Sequence, residues 1–242
     1  MGDESKLEEK GAASESCGPP DPSMISPEMK KVYLYVSDTL FEQGRRPSIE
    51  EISKGTELPE SAVGEILDAF ESVYGIYRDP FFKHVIAFYP VSGIPTIHKL
   101  IRPEGGRIAY SPCAMDALTL PPTFGKDLEI KSSCRYCDAE ISINYGENGT
   151  KITEHSPDGI WIWLENRIPS NAPYYLIVCV NSNFFCSKDH LDMWLKEETM
   201  ERSGKAYSLA DAFSATEDWC TYKMYKLVTE GRPWGGKALD EV

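Results

Sequence analysis

Hydrophobic residues recur at helical spacing in the first third of the chain, after a polar N-terminal stretch. Residues 1–24 are small, polar and charged, and we expect a disordered tail there. Ser26 precedes a proline, which is a typical helix start with an N-cap and a first helical position. A second helix is predicted at Ser48, where Glu51 completes a capping box, and a third over residues 60–72. The pattern therefore predicts three short helices.

These helices, followed by a strand predicted at 84–89, resemble a winged-helix module, which we assign to residues 25–92. Modules of this kind often bind DNA, so their charge is informative. Residues 25–90 contain seven Lys or Arg and eleven Asp or Glu, a net charge of −4. The predicted third helix has no basic residue. Because a DNA-reading surface needs positive charge near the phosphates, we interpret the module as a helical platform without a nucleic-acid partner.

Hydrophobic runs in the rest of the chain predict a sheet-rich core over residues 93–228. Strands are expected at 96–102, 107–110, 128–132, 139–145, 159–165 and 174–181. The last of these is almost wholly apolar, which is typical of a central strand covered on both faces. Helices are expected at 112–118, where two prolines should end the helix, and at 187–197 and 208–226.

The predicted elements together indicate an α+β fold. A three-helix, winged-helix-like module precedes a mixed or antiparallel sheet core with flanking helices and treble-clef-like elements. The Gly-rich residues 229–242 are expected to form a flexible tail.

The charge of the whole chain argues against further classes of partner. The formal net charge of −13 disfavours nucleic acid and anionic membrane surfaces, since both are polyanions. No apolar run approaches the roughly 20 residues of a membrane span, and the N-terminus lacks the apolar segment of a signal peptide. We therefore expect a cytoplasmic protein with no membrane partner. In that reducing compartment, seven cysteines favour metal binding or catalysis over disulfides.

The segment Ser-Pro-Cys-Ala-Met-Asp places Cys113 in the first turn of a predicted helix, with Ser111 as its N-cap. A helix N-terminus stabilises a thiolate and so lowers the pKa of a cysteine. Asp116 lies three residues further on, on the same helical face. A reactive thiol and a carboxyl group are therefore predicted to be neighbours. By residue type alone, a buried cysteine beside a capping aspartate explains the segment better.

The wider segment over residues 107–121 resembles the active-site segment of the alkylmercury lyase (organomercurial lyase) family, which places Cys-x-x-Asp between a strand and a short apolar helix. The stretch that begins at Cys179 and reaches a Phe-Phe pair, followed by Trp194, is similar to the second catalytic stretch of that family. The segment ending at Cys134 and the N-terminal module also resemble the family. The resemblance spans about residues 26–225 in the order of its motifs.

The resemblance implies a carbon–mercury lyase with a role in mercury resistance. Cys113 and Cys179 would bind the mercury of R–Hg⁺ as thiolates, because this very soft cation prefers sulfur over oxygen and nitrogen. Asp116, kept partly protonated by burial, would deliver a proton to the carbon and help to hold the metal. The products would be a hydrocarbon and Hg(II), which external thiols or a mercuric reductase-like acceptor would remove. No organic cofactor is implied.

Four further residues have the spacing of zinc ligands. Cys134 and Cys137 form a C-x₂-C pair between two predicted strands, and Cys186 and His190 form a C-x₃-H pair at the start of a predicted helix. Together they resemble a treble-clef zinc site, and Cys₃His is an ordinary structural zinc set. The well-known lyases keep the first cysteine of this set and lack the other three ligands. We therefore interpret the chain as a divergent branch with a retained zinc site.

Three alternatives remain open from the sequence. The first is that the four proposed zinc ligands are unrelated to one another, or that the C-x₂-C pair is redox-active. The second is that the substrate is another organometal, because the chain diverges from the well-known lyases. The third is that the protein binds soft metals without turnover, or that it is a zinc-stabilised interaction protein. Neither of these roles needs Asp116 or a substrate pocket.

Overall fold

The computed structural model describes residues 25–73, 76–106, 108–166, 174–197 and 202–229. The tails predicted at 1–24 and 229–242 lie outside these residues, except for Thr229, which ends the last helix. None of the helices within the described ranges combines the length and the apolar content needed to cross a membrane.

Three helices open the fold as predicted: α1 (Pro27–Gln43), α2 (Ile49–Thr56) and α3 (Glu60–Val73). Ser26 caps α1 by accepting a hydrogen bond from the amide of Met29. Ser48 and Glu51 form the predicted capping box at the start of α2. A small antiparallel sheet follows, with strands β1 (Tyr77–Arg78), β2 (Val85–Phe88) and β3 (Val91–Ser92).

The core contains two further sheets. The larger has the strand order β5-β4-β6-β7-β8, and the smaller has the order β10-β9-β11. Their bounds are β4 (His98–Ile101), β5 (Ala109–Ser111), β6 (Glu129–Ser133), β7 (Glu140–Gly146), β8 (Lys151–Ser156), β9 (Trp161–Glu165), β10 (Asn183–Phe185) and β11 (Gly204–Ser208). Every strand pairing within the described residues is antiparallel. The sequence analysis did not predict β1, β3, β8, β10 or β11.

In the described part of the core, five helices flank or fill the sheets: α4 (Ala114–Phe124), α5 (Tyr174–Ile177), α6 (Lys188–Glu197), α7 (Leu209–Ser214) and α8 (Cys220–Thr229). The single helix predicted over 208–226 is wrong, because a 3-10 turn at Thr216–Asp218 separates α7 from α8. The predicted end of α4 at its two prolines is also wrong. A proline at 122 cannot donate to the carbonyl of Leu118, and the hydroxyl of Tyr145 donates to that carbonyl instead, at 3.1 Å.

The apolar segment 174–181 is not the predicted central strand. It forms α5 and a 3-10 turn, Cys179–Asn181. Leu176 and Val180 are 43% and 44% exposed and lie one helical turn apart, so the segment buries only one helical side. The side chains of Asn181 and Ser182 donate back to carbonyls four residues earlier, at 2.7 and 2.8 Å. Those bonds favour a helical turn over a strand.

The N-terminal helices and the core share one hydrophobic interior. The ring of Phe41 on α1 stacks on the ring of Phe124 on α4, with centroids 3.8 Å apart. Arg102 forms an ion pair with Glu42 across the same contact. The boundary between residues 92 and 93 stays a prediction.

The Phe41–Phe124 stack gives a direct test of this packing. Phe41→Ala should lower the free energy of unfolding by about 3–5 kcal/mol, because it opens a cavity at a side chain that is 1% exposed. Urea denaturation measures the loss. The control is Phe81→Ala, at a side chain that is 86% exposed, with an expected change within about 0.5 kcal/mol. Equal effects of the two substitutions would contradict the prediction.

Candidate active site and metal cluster

Cys113 lies at the junction between β5 and α4, and it is itself the N-cap of α4. Its sulfur accepts a hydrogen bond from the amide of Asp116 at 3.3 Å. The prediction that Ser111 caps this helix is wrong, because the Ser111 hydroxyl is directed to the carbonyls of Pro90 and Cys113, at 3.3 and 3.1 Å. A sulfur therefore occupies the position at which a cap oxygen usually meets the helix N-terminus.

Asp116 is a buried carboxyl group, 3% exposed, with a donor at each oxygen. The thiol of Cys113 donates to Oδ2 at 3.1 Å, and the indole N–H of Trp219 donates to Oδ1 at 3.2 Å. Burial of a carboxylate is tolerated when its oxygens have such partners. Trp219 was not singled out from the sequence, and no local pattern links it to a residue 103 positions away.

Cys179 reaches the same place from the 3-10 turn, and it is 2% exposed. The amide of Ser182 closes the turn on the carbonyl of Cys179 at 3.2 Å. The carbonyl of Ser182 accepts from the amide of Ala114 at 3.0 Å, which joins the turn to the first residue of α4. The two sulfurs and a carboxylate oxygen of Asp116 all lie within 4.8 Å of one another. The structure thus brings together the three residues that the sequence predicted.

The electrostatics of Cys113 differ from the sequence-based expectation. Burial raises the pKa of its thiol well above the usual value, and the neighbouring Cys179 and Asp116 raise it further. The amide at the helix N-terminus acts in the opposite direction but does not outweigh burial. The predicted lowering of this pKa is therefore wrong for the metal-free protein. Cys113 therefore keeps its proton, and its thiol donates a hydrogen bond to Oδ2 of Asp116.

Aromatic residues contact two of the three groups, because Trp219 binds Asp116 and Tyr89 binds Cys179. Tyr89, between β2 and β3, places its hydroxyl 3.1 Å from the sulfur of Cys179, and the thiol donates to that hydroxyl. Burial raises the pKa of Tyr89 well above its usual value, and the nearby Cys179 adds to the effect. The ring of Tyr175 stacks on the ring of Tyr77 with centroids 5.0 Å apart. Tyr89 and Tyr175, like Trp219, were not identified from the sequence.

The second predicted group also assembles. The ligand atoms of Cys134, Cys137, Cys186 and His190 all lie within 4.8 Å of one another. The Cys137 and Cys186 sulfurs are 3.7 Å apart, and His190 Nδ1 lies 3.8 Å from the Cys134 sulfur and 3.0 Å from the Cys186 sulfur. A tetrahedral zinc ion with Zn–S bonds of about 2.3 Å has S···S edges of about 3.8 Å. The spacing therefore suits a metal ion.

Local backbone geometry builds this cluster. The turn after β6 closes through the Cys134 amide on the Ala139 carbonyl at 2.8 Å, with Asp138 in the left-handed conformation at φ 59°. The amide of Arg135 donates to the carbonyl of Phe184 at 3.0 Å and ties this turn to β10. Cys186 directly follows β10, and His190 lies in the first turn of α6.

The thiols of the cluster have different pKa values. Burial acts to raise the pKa of Cys134, but backbone hydrogen bonds at Cys186, Cys137 and Tyr136 outweigh burial and lower the pKa to about 7. Burial and the other two thiols raise the pKa of Cys186 to about 12. A bound cation would favour the thiolate form of all three.

A buried site with two thiols and a carboxyl group, on this α+β fold, is typical of a site for a soft metal ion. The fold is similar to that of a solved structure described as the mercury-bound form of MerB2. The TM-score is 0.63 at 22% identity, over 84% of this chain and 100% of that chain. The likeness confirms the predicted class of helices followed by antiparallel sheets with flanking helices.

The sequence comparisons give the family. The family model of alkylmercury lyase matches residues 91–221, more than half of the chain, so the chain belongs to the alkylmercury lyase family. An alkylmercury lyase of Bacillus cereus is 24% identical over 197 residues, which cover 81% of this chain and 82% of the relative. An alkylmercury lyase of Clostridium butyricum is 25% identical over 170 residues, which cover 70% and 72% respectively.

Proposed function

We propose that the protein is a carbon–mercury lyase, which cleaves R–Hg⁺ by protonolysis to a hydrocarbon and Hg(II). The observation that carries the proposal is the buried cluster of Cys113, Asp116 and Cys179, with ligand atoms within 4.8 Å, in a chain of the alkylmercury lyase family. Two thiols supply the ligands that a soft cation prefers, and the carboxyl group supplies a proton carrier beside them.

Capture of the substrate is the first step. The Cys113 sulfur forms a bond to mercury and loses its proton to Asp116 Oδ2, which lies 3.1 Å away. The Cys179 sulfur forms the second bond to mercury, and its proton passes to solvent. Because both sulfurs already lie in one buried site, the second bond forms within the same molecule and costs little further ordering.

Protonolysis follows from the position of the proton. Two thiolates donate electron density to mercury and make the bound carbon more basic. Asp116, now protonated, gives the proton taken from Cys113 to that carbon, while the electron pair of the C–Hg bond forms the new C–H bond. The balance is one R–Hg⁺ and two thiols giving R–H, one Hg(II) bis-thiolate and one released proton. Surroundings of low polarity keep the proton on Asp116 until the carbon takes it, because they disfavour the carboxylate.

Release of the product needs exchange with other thiols. Both sulfurs hold Hg(II) at the end of the reaction, so external thiols or a mercuric reductase-like acceptor remove it. The chemistry uses side chains alone and requires no organic cofactor.

A turnover assay tests the proposal. Purified protein with phenylmercuric acetate and excess glutathione should release benzene, measured by gas chromatography of the headspace. Cys113→Ala should release none. Asp116→Asn should still bind mercury but release benzene at least about 100-fold more slowly, the usual scale for loss of a general acid. The control is Asp158→Asn, at an exposed carboxylate, with unchanged release.

The binding measurement separates the rival functions. Tight mercury binding by the wild type without benzene would contradict the lyase and favour a soft-metal-binding protein, or a lyase for another organometal. Benzene release by Asp116→Asn at the wild-type rate would contradict the role of the carboxyl group.

We also propose that Cys134, Cys137, Cys186 and His190 hold one structural zinc ion. Three thiols and an imidazole at the observed spacing suit tetrahedral Zn²⁺. The ion would join the turn after β6, the end of β10 and the first turn of α6. It would cross-link these elements as a disulfide does in proteins of oxidising compartments. The burial of Cys134 at one corner and the exposure of Cys137 at another place the cluster near the surface.

Metal analysis tests the zinc proposal. The purified chain should contain about one zinc ion, measured by plasma mass spectrometry. Cys137→Ser should lose it and lower the melting temperature by roughly 10 °C, since a structural zinc ion contributes directly to folding. The matched control is Cys179→Ser, which should keep its zinc. A zinc-free wild type with the same melting temperature as Cys137→Ser would contradict the proposal.

A further inference from the structure

We propose that Tyr89 is a positioning residue for Cys179: its hydroxyl holds the Cys179 sulfur where it can share one mercury ion with Cys113. The inference rests on the proposed function, and it assigns part of the site to the N-terminal module. Tyr89 precedes residues 91–221, which the family model matches.

The contact is direct and buried. The Tyr89 hydroxyl lies 3.1 Å from the Cys179 sulfur, across 90 positions of sequence. Tyr89 is 8% exposed and Cys179 is 2% exposed, so little water competes for either atom. A hydrogen bond in such surroundings fixes the orientation of both side chains more strongly than one at the surface.

Tyr89 and the residue before it both contact the N-terminal helices. The Tyr33 hydroxyl of α1 donates to the Tyr89 carbonyl at 3.4 Å. The preceding Phe88 packs against Tyr33 and Phe70, with ring centroids 5.2 and 5.6 Å apart. Tyr89 is therefore anchored on the helical module.

The same segment is tied to the other thiol. The Ser111 hydroxyl lies 3.3 Å from the carbonyl of Pro90 and 3.1 Å from the carbonyl of Cys113. Tyr89 thus contacts Cys179 through its side chain and is linked to the Cys113 backbone through the next residue. The segment at Tyr89 therefore positions both sulfurs.

Cys179 needs such a partner. It lies in a three-residue turn whose next side chain, Val180, is 44% exposed. A cysteine side chain has three staggered χ1 positions, and one hydrogen bond selects among them. A sulfur that already points at its partner loses less freedom when both bind one ion, so the pair binds more tightly.

The contact can persist through the reaction. A tyrosine hydroxyl both accepts and donates hydrogen bonds. It accepts from the Cys179 thiol in the metal-free protein and can donate to the sulfur after the thiol proton has left.

A double-mutant cycle tests the inference on the full, zinc-loaded chain. The proteins are the wild type, Tyr89→Phe, Cys179→Ala and the double variant, each loaded with half an equivalent of Hg(II) and titrated with glutathione. Retained mercury is measured after gel filtration. A Cys113→Ala/Cys179→Ala variant gives the mercury held elsewhere, which is subtracted. Single-turnover benzene release from phenylmercuric acetate is followed in parallel.

The expected effect of Tyr89→Phe depends on the presence of the Cys179 sulfur. Tyr89→Phe should release half of its mercury at about tenfold less glutathione than the wild type, the effect of one hydrogen bond to a charged group. In the Cys179→Ala background the same substitution should change nothing, because the hydroxyl acts through a sulfur that is gone. Thr56→Val, which also removes a buried hydroxyl, bonded at 2.7 Å within α2, should behave as the wild type.

Two outcomes would overturn the inference. One is mercury retention by Tyr89→Phe equal to that of the wild type. The other is an equal loss with and without Cys179, which marks a general structural role. Absence of benzene from the wild type would refute the proposed lyase alone, since the retention cycle does not depend on turnover.

Discussion

One backbone hydrogen bond, from the amide of Ala114 to the carbonyl of Ser182 at 3.0 Å, sets the geometry of the active-site candidate. It joins the first residue of α4 to the end of the turn that carries Cys179. The Cys113 cap and Asp116 follow from the helix start, and Cys179 follows from the turn. A shift in either element would separate the sulfurs, so the buried packing of α4 against the sheets is a condition of the chemistry.

Burial determines how the proposed chemistry can begin. Removal of water raises the pKa of the Cys113 thiol and keeps it protonated. The proton already lies on a hydrogen bond to Asp116. A soft cation would change this balance, because a sulfur–metal bond would release the proton to the carboxyl group of Asp116, which accepts the hydrogen bond of the thiol. In the proposed reaction the same proton would then go to the carbon, so capture and cleavage would be coupled through two atoms 3.1 Å apart.

Local signals in the sequence predicted much of the fold and the neighbouring positions of Cys113 and Asp116, whereas the place of Cys179 in the candidate site came from the resemblance to the family. The caps at Ser26 and Ser48 and the Cys-x-x-Asp spacing depend on residues three or four positions apart, which short-range geometry controls. The segment 174–181 was predicted wrongly because an apolar run does not distinguish a buried strand from a half-buried helix. Tyr89 and Trp219 were missed because their partners lie 90 and 103 positions away. Only the folded chain brings them together.

The two cysteine clusters lie at opposite ends of one short strand. Cys179 and Cys186 are seven positions apart, and β10 lies between them. The carbonyl of Phe184 in β10 binds the turn that carries Cys134 and Cys137, so the cluster holds the strand that follows the Cys179 turn. The ligand sets differ in a way that separates metals: four ligands near the surface suit tetrahedral zinc, whereas two buried sulfurs suit a cation that needs few ligands and little water. A zinc ion at one end of β10 would therefore stabilise the position of Cys179, the proposed mercury ligand at the other end.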